Sequence, residues 1–288
     1  MPVPSAYSSA TPRQAYGIFC DCETCVVYCC KIHRQLLHTI HIFHDRVPMQ
    51  SLGWSSSAIF VILTFIALHP HQARALEPGF VSMFDGKSLQ GWEVSSPQAK
   101  QAWTVQDGMI VGDGDKGRSY LVYTSNRELA DFELKFRYRL PDKGNTGVNL
   151  RARVDETGRR DYQSYHADLG HVGIGANILG AWDFHTPGRR EHGCPRGKRL
   201  VIDKNDKAVY SNIEDGITLD DIRDRDWNDV HVIAKGNRFT MYINGKLAAE
   251  FTEHLPKARR LHKGMIQLQL HDPGMIVHFQ DLRIKILK

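Results

Sequence analysis

The chain has 288 residues, of which 42% are hydrophobic and 24% are charged, a composition that excludes wholesale disorder and suits one large or two small globular domains. The formal net charge of +5 is modest. No long basic run of the kind that grips nucleic acid occurs, so we expect no nucleic-acid partner.

The N-terminal segment is set apart by its cysteines, five of which lie between Cys20 and Cys30, followed by four histidines up to His44. Cysteine and histidine are the usual zinc ligands, but this spacing does not form the paired C-x2-C units of a zinc site. We interpret residues 1–48 as a leader without structure, either upstream of a true start near Met49 or forming a cytoplasmic extension.

A run of 11 largely apolar residues follows at positions 58–68. A membrane-spanning helix needs about 20 such residues, whereas a signal-peptide core needs about 7–15. Ala73-Arg74-Ala75 then fits the small-x-small cleavage pattern. We predict that residues 49–75 are a signal peptide cleaved after Ala75, that the protein is exported to the periplasm or beyond, and that no membrane span remains.

The remaining residues, 76–288, read as short strands. Residues 131–140 alternate between apolar and charged side chains without exception, which is the period of a half-buried strand. The same period recurs at 148–153, 230–234, 239–243, 266–270 and 277–279. Asp107-Gly108 and Asn244-Gly245 are dipeptides typical of tight hairpin turns, and residues 219–222 suit one short helical turn.

These elements predict an all-β domain, a sandwich of two antiparallel sheets, because each strand has one apolar face to bury against a second sheet. Cys194 is the single thiol after residue 75, so the domain has no internal disulfide. The stretch 155–226 is poor in regular pattern and is expected to form long functional loops.

Six ordered motifs resemble a known family. They are Phe84-Asp85-Gly86-Lys87-Ser88-Leu89-x-Gly91-Trp92, Trp103-x-Val105-x-Asp107-Gly108, Asn145-Thr146-Gly147-Val148-x-Leu150-Arg151, Trp227-Asn228, Asn244-Gly245-Lys246, and Gly264-x-Ile266-x-Leu268-Gln269-Leu270-His271. Together they are similar to the 3-keto-disaccharide hydrolase family over residues 80–287. The resemblance implies a concanavalin A-like jelly roll and an exported protein that acts on carbohydrate. His166 stands where that family usually has Gln.

Strand parity indicates which polar residues share the outward face of a curved sheet. If the apolar residues of 266–270 point inward, Gln269 and His271 point outward, and the same argument places Arg151 outward. In the segment around Tyr165, His166 and Asp168 share a face. Arg151, Asp168, Gln269 and His271 would then meet one ligand; the alternatives are surface charges, a surface histidine and a turn cap.

We predict that catalysis is carried out by His271, Asp168 and Arg151. The substrate-binding residues are expected to be Gln269, Asn145, Tyr165, His166 and Trp182, with Trp182 stacking on a sugar ring from an irregular loop. Trp92, Trp103 and Trp227 are expected to be structural.

The expected chemistry rests on the absence of a glucanase motif as well as on the resemblance. The Glu-x-Asp-x-x-Glu strand motif of jelly-roll glucanases does not occur, which disfavours a two-carboxylate glycosidase mechanism. A ketone at C3 of a sugar acidifies the C2 proton, so His271 or Asp168 as a base and Arg151 as an oxyanion stabiliser would suffice for elimination and hydration.

We expect a carbohydrate substrate and no cofactor or metal. Asp113-Gly114-Asp115 has the start of a calcium loop but lacks its remaining acidic ligands, so it is interpreted as a surface turn. The competing functions are a non-catalytic, lectin-like carbohydrate-binding module and an envelope domain that binds another protein through residues 155–226. The sequence does not indicate an oligomeric state.

Overall fold

The computed structural model describes residues 76–288, and strands dominate this range. In chain order they are β1 (Val81–Ser82), β2 (Trp92–Val94), β3 (Trp103–Gln106), β4 (Met109–Asp113), β5 (Ser119–Tyr123), β6 (Phe132–Arg139), β7 (Asn145–Val154), β8 (Tyr162–Gly170), β9 (Trp182–His185), β10 (Gly193–Cys194), β11 (Lys198–Ile202), β12 (Ala208–Asn212), β13 (Asn228–Lys235), β14 (Arg238–Ile243), β15 (Lys246–Glu253), β16 (Met265–Leu270) and β17 (Ile276–Ile286). Short 3-10 helices occupy Pro97–Ala102, Gly114–Lys116, Leu219–Asp221 and Lys257–Arg259.

The strands form two sheets, as the alternating pattern predicts. The larger sheet has the order β12-β11-β15-β14-β13-β6-β17-β4-β3, with β1 paired to β17, and the smaller has the order β10-β9-β8-β7-β16-β5-β2. Neighbouring strands are antiparallel apart from β11 and β15, which pair in parallel. This is the all-β, concanavalin A-like jelly-roll sandwich, with one parallel pair that strand parity does not reveal.

Local sequence accounts for the best-predicted elements. The burial of β6 alternates along its whole length, as its period requires. Asp107-Gly108 and Asn244-Gly245 adopt positive φ at both positions and join β3 to β4 and β14 to β15, as two-residue hairpin turns do. The short helical turn expected at 219–222 forms at Leu219–Asp221.

The core lies between the two sheets. Tyr165 and Phe184 of the smaller sheet meet Phe239 and Phe251 of the larger one, with ring centroids 4.6–5.2 Å apart. Burying each such ring stabilises the fold by about 1.5–3 kcal/mol. Of the three structural tryptophans, Trp92 and Trp103 are buried, whereas Trp227 lies under the guanidinium groups of Arg137 and Arg139.

The expectation of long loops over residues 155–226 is wrong, since β8 to β12 lie within this stretch. The leader, the cysteine cluster and the signal peptide lie outside the described residues and stay predictions. Among residues 76–288, no helix has the length and apolar character needed to cross a membrane.

Candidate functional site

A groove of about 490 Å³ opens on the outer face of the smaller sheet. Strands β7, β8, β9 and β16 and the residue after β16 supply its polar floor, which consists of Asn145, His166, Asp168, Asp183, Gln269 and His271. Five of these six side chains were expected from the sequence, and the structure brings them to one cavity. Asp183 was not expected.

Strand β8 positions two of these groups by simple alternation. Tyr165, Ala167 and Leu169 are fully buried on the core side, so His166 and Asp168 face outward into the groove. This agrees with the expectation that these two residues share a face. The imidazole Nε2 of His166 lies 3.3 Å from Asp168 Oδ1.

Gly147 makes room for the His166 ring. It lies opposite Asp168 in the β7–β8 ladder, and a Cβ at this position would overlap both His166 Nε2 and the carbonyl oxygen of Ala167. Glycine is therefore needed here for close approach of a side chain rather than for a turn.

A second histidine–aspartate pair lies beside the first. On β9, His185 Nε2 is 3.1 Å from Asp183 Oδ2, and Asp183 is directly opposite His166 in the ladder. The two imidazole rings stack with centroids 4.9 Å apart and planes 18° apart. Strands β8 and β9 run antiparallel. The order His166-x-Asp168 on β8 therefore lies beside the reversed order Asp183-x-His185 on β9.

The second pair has perturbed ionisation. Burial lowers the pKa of His185, against the opposing effect of its hydrogen bond to Asp183, so the neutral imidazole is favoured. Burial alone would raise the pKa of Asp183, but the hydrogen bond from His185 and the nearby imidazoles outweigh it and hold that pKa below its ordinary value.

Buried amides and a hydroxyl hold the first histidine in place. Asn149 Oδ1 accepts a hydrogen bond from Ser164 Oγ at 2.8 Å and lies 2.7 Å from His166 Nδ1. The Asn149 amide in turn donates to Gln267 Oε1 at 2.8 Å. His166 therefore has an acceptor on each side of its ring, Asn149 on one and Asp168 on the other, which fixes its orientation.

His271 is held differently. Its Nδ1 lies 2.5 Å from Asp272 Oδ1, and the other carboxylate oxygen of Asp272 accepts from the backbone N–H of Asn145 at 2.9 Å. The side chain of His271 is 33% exposed. With Nδ1 oriented by a carboxylate, Nε2 is the nitrogen that remains for a ligand in the groove.

Two amide oxygens on the floor have no hydrogen-bond partner within the described residues. They are Gln269 Oε1 and Asn145 Oδ1, both buried and both in residues that line the groove. A buried acceptor left without a partner is costly, and the hydroxyl groups of a sugar are suited to satisfy both.

The rim adds positive charge and aromatic surface that sequence reasoning missed. Arg118 and Arg160 line the groove, and Arg160 is bound by both carboxylate oxygens of Glu191 at 3.2 and 2.9 Å. Tyr120 and Tyr162 meet edge to face with centroids 5.5 Å apart. The Asp183-x-His185 spacing was the available signal for β9, since it repeats the two-residue period of β8.

Arg151 does not face the groove, contrary to the parity argument. It has a positive φ of 49°, and the β7–β8 register shifts between Leu150 and Arg153. A bulge here inserts one residue, so Arg151 turns inward and Ala152 takes the outward place. The side chain is 2% exposed and its guanidinium lies 4.7 Å from the centre of the Phe239 ring.

Tyr165 and Trp182 also lie in the core rather than in the groove. Tyr165 is fully buried and its hydroxyl donates to Glu253. Trp182 is 1% exposed, belongs to β9 instead of an irregular loop, and donates from Nε1 to the Ala249 carbonyl at 3.1 Å. Neither side chain is placed to contact a sugar in the groove.

The turn at 113–115 is held by the side chain of Asp113. Asp113 Oδ1 accepts from the N–H of Asp115 at 3.1 Å, and Lys116 pairs with Asp113 at 3.1 Å. Over residues 76–288, no group of three or more His, Cys, Asp or Glu side chains is arranged to hold a metal ion.

Comparison with known proteins gives a family and several distant relatives. Residues 79–285 match the model of a family described as the 3-keto-alpha-glucoside-1,2-lyase-like domain. A 3-keto-disaccharide hydrolase of Bacteroides thetaiotaomicron is 28% identical over 80 residues, which are 24% of this chain and 26% of that protein. The aligned part thus spans about a quarter of that relative's length.

Solved structures are similar at lower identity. A protein of Parabacteroides distasonis, provisionally named a glycosyl hydrolase, is 18% identical with a TM-score of 0.49, covering 73% of this chain and 94% of its own. The carbohydrate-binding module CBM66 of Bacillus subtilis is 14% identical with a TM-score of 0.41, covering 68% and 95%.

Proposed function

Because the family model matches residues 79–285, the chain belongs to the 3-keto-alpha-glucoside-1,2-lyase-like family, and we propose that it cleaves 3-keto-glycosides in the groove. The observation that carries this proposal is that the three histidines lining the groove are each paired with an aspartate: His166–Asp168, His185–Asp183 and His271–Asp272. Such pairs supply proton transfer at neutral pH.

The proposed first stage is an elimination. A base removes the C2 proton, which the C3 ketone makes acidic, and the C2–H electron pair forms an enolate across C2 and C3. The enolate then restores the C3 carbonyl, a double bond forms between C1 and C2, and the C1–O bond to the leaving group breaks. The departing oxygen takes a proton from an acid. Addition of water across C1 and C2 completes a net hydrolysis.

Three groups suit these roles. His271 is proposed as the base, because Asp272 holds its Nδ1 and leaves Nε2 to accept the proton. The His166–Asp168 pair is proposed to protonate the leaving oxygen. Arg118 replaces Arg151 as the proposed enolate stabiliser, since it lines the groove and a guanidinium stays charged at every relevant pH.

The test is turnover of a p-nitrophenyl 3-keto-glucoside by the full chain, followed as p-nitrophenolate release. We expect a primary isotope effect with deuterium at C2 and no cleavage of the corresponding glucoside with a C3 hydroxyl. His271→Asn and Arg118→Gln should each lower kcat by about 10²-fold or more. His254→Asn, which changes an exposed histidine just after β15, is the matched control.

Two outcomes would overturn the proposal. Binding of glycans without any turnover would assign the groove to a carbohydrate-binding module. Turnover that is unchanged in His271→Asn, Asp168→Asn and Arg118→Gln would mean that the reaction occurs elsewhere.

A further inference from the structure

A second cavity, of about 240 Å³, lies apart from the groove at one end of the sandwich. Gln163 of β8 and Thr186, which follows β9, line it. Their neighbours in sequence, Tyr162 and His185, line the groove, so the two cavities lie on opposite faces of these segments. The volume far exceeds the roughly 15 Å³ that one water needs. The cavity therefore has room for a ligand of its own.

The charge around this cavity is one-sided. Arg153, Arg189, Arg259 and Arg260 line it, and no aspartate or glutamate does. The groove, in contrast, is lined by three arginines and three aspartates. Arg259 is already paired with Asp206 at 2.8 Å and Arg189 with Glu253 at 2.9 Å, which leaves Arg153 and Arg260 to be balanced by another anion.

Several buried donors at this cavity lack a hydrogen-bond partner within residues 76–288. They are Nη2 of Arg189, Nε of Arg260 and the hydroxyl of Thr186, whereas Nη1 of Arg189 is paired with a buried carboxyl group. Leaving one buried donor unsatisfied is costly, and more so when it is charged. Their concentration at one cavity indicates that a ligand rich in acceptor oxygens completes them.

Arg189 is also rigidly held. Its side chain is 6% exposed and its guanidinium lies over the rings of Phe184 and Tyr165, 5.6 and 6.0 Å from their centroids. An immobile guanidinium loses little freedom when it binds, and its planar fork suits oxyanions.

Glu253 is the carboxyl group nearest to Arg189, with Oε2 2.9 Å from Nη1. Burial raises the pKa of Glu253 to about 8, against the lowering effect of the neighbouring arginines. A single carboxyl group beside Arg189 balances one guanidinium at most, which leaves Arg153 and Arg260 without a counter-charge.

We propose that this cavity binds a tetrahedral oxyanion, phosphate or sulfate, either as the free ion or as an ester on a carbohydrate. Guanidinium groups recognise such anions through paired, charge-assisted hydrogen bonds. The site is separate from the groove, so it adds a second binding function to the domain and does not depend on the proposed reaction.

The test is isothermal titration of the full chain with inorganic phosphate and inorganic sulfate at pH 7 and constant ionic strength. We expect saturable binding that sodium chloride does not reproduce, and a Kd raised by about tenfold or more in Arg260→Gln and Arg189→Gln. Arg159→Gln, which removes a guanidinium from the groove, is the matched control and should leave the Kd unchanged.

Arg189→Gln removes a partner of buried Glu253 and can fail to fold, so Arg260→Gln, whose side chain is only partly buried, decides in that case. Glucose 6-phosphate and glucose 6-sulfate distinguish the two sources: tighter binding than the inorganic ions assigns an anionic carbohydrate, and equal binding assigns the free ion. Absence of saturable binding, or binding that Arg260→Gln leaves intact, would overturn the proposal.

Discussion

Replacing Arg151 with Met should destabilise the protein while leaving its chemistry intact. The guanidinium donates to the carbonyl oxygens of Ala130, Gly236 and Leu261 at 2.8–3.0 Å and to Asp131 Oδ1 at 3.0 Å. Methionine keeps the apolar stem of the side chain but makes none of these four bonds.

The magnitude follows from what remains unpaired. Three carbonyl groups lose a charged donor, at about 1 kcal/mol or more each, whereas the Asp131 carboxylate is 34% exposed and water can solvate it. The expected loss is about 3–5 kcal/mol, in line with the removal of one partner from a buried ion pair. For a domain of this size that lowers Tm by roughly 6–20 °C.

The assay is urea denaturation together with turnover of the keto-glucoside below both unfolding transitions. Arg153→Met, on the same strand with one bond to the Lys263 carbonyl, is the control and should lose less than about 1 kcal/mol. We expect kcat of the folded Arg151→Met variant to stay within about threefold of the wild type. Wild-type stability combined with lost turnover would refute the structural role of Arg151.

Three further predictions concern other parts of the domain. Gly147→Ala should displace His166 and lower kcat/KM by about 10²-fold. Gly193→Ala, whose Cβ would make only an ordinary contact, should leave kcat/KM unchanged, and equal activity of the two variants would contradict the need for glycine beside His166. The folded Glu253 carboxyl keeps a proton that the unfolded one releases, so the wild type should lose stability as pH rises from about 4.5 to about 8, by up to about 1.4 kcal/mol per pH unit. Glu253→Gln should abolish this loss. Parallel curves of stability against pH for the two proteins would exclude the raised pKa of Glu253. Burial raises the pKa of the Cys194 thiol to about 12, so peptide mass spectrometry should show iodoacetamide labelling of Cys194 only in urea, and labelling of the native protein would disprove this.

The fold was predictable wherever one local rule decided the structure. Alternation over residues 131–140 and the Asn-Gly turn at 244–245 depend on neighbours in sequence, and both appear as expected. Strands β9 to β12 were missed because each has only two to five residues, too few for an alternating pattern to stand out. The parallel pairing of β11 with β15 joins segments about fifty residues apart, which no local pattern specifies.

The site residues were predictable for the same reason, and the prediction failed where the alternation along a strand is interrupted. His166 and Asp168 are reached by counting in twos along β8, and Gln269 with His271 by counting along β16. Arg151 was misplaced because its positive φ and the bulge in β7 invert the parity at this position. The carbonyl groups that its side chain contacts are distant in sequence, so no local pattern reveals them. Trp182 was misplaced because its strand was not recognised.

The bulge at Arg151 has a consequence for any redesign of this surface. The register of β7 shifts at this level against both neighbours, between Leu150 and Arg153 on the β8 side and between Met265 and Gln267 on the β16 side. Strand β7 is thus divided into two parts of opposite phase. Before the bulge the odd-numbered residue Asn145 lines the groove, and after it the odd-numbered residue Arg153 lines the oxyanion cavity. The two pockets can therefore be altered independently through one strand, while a single-residue deletion at the bulge would exchange the faces of the residues of β7 beyond it.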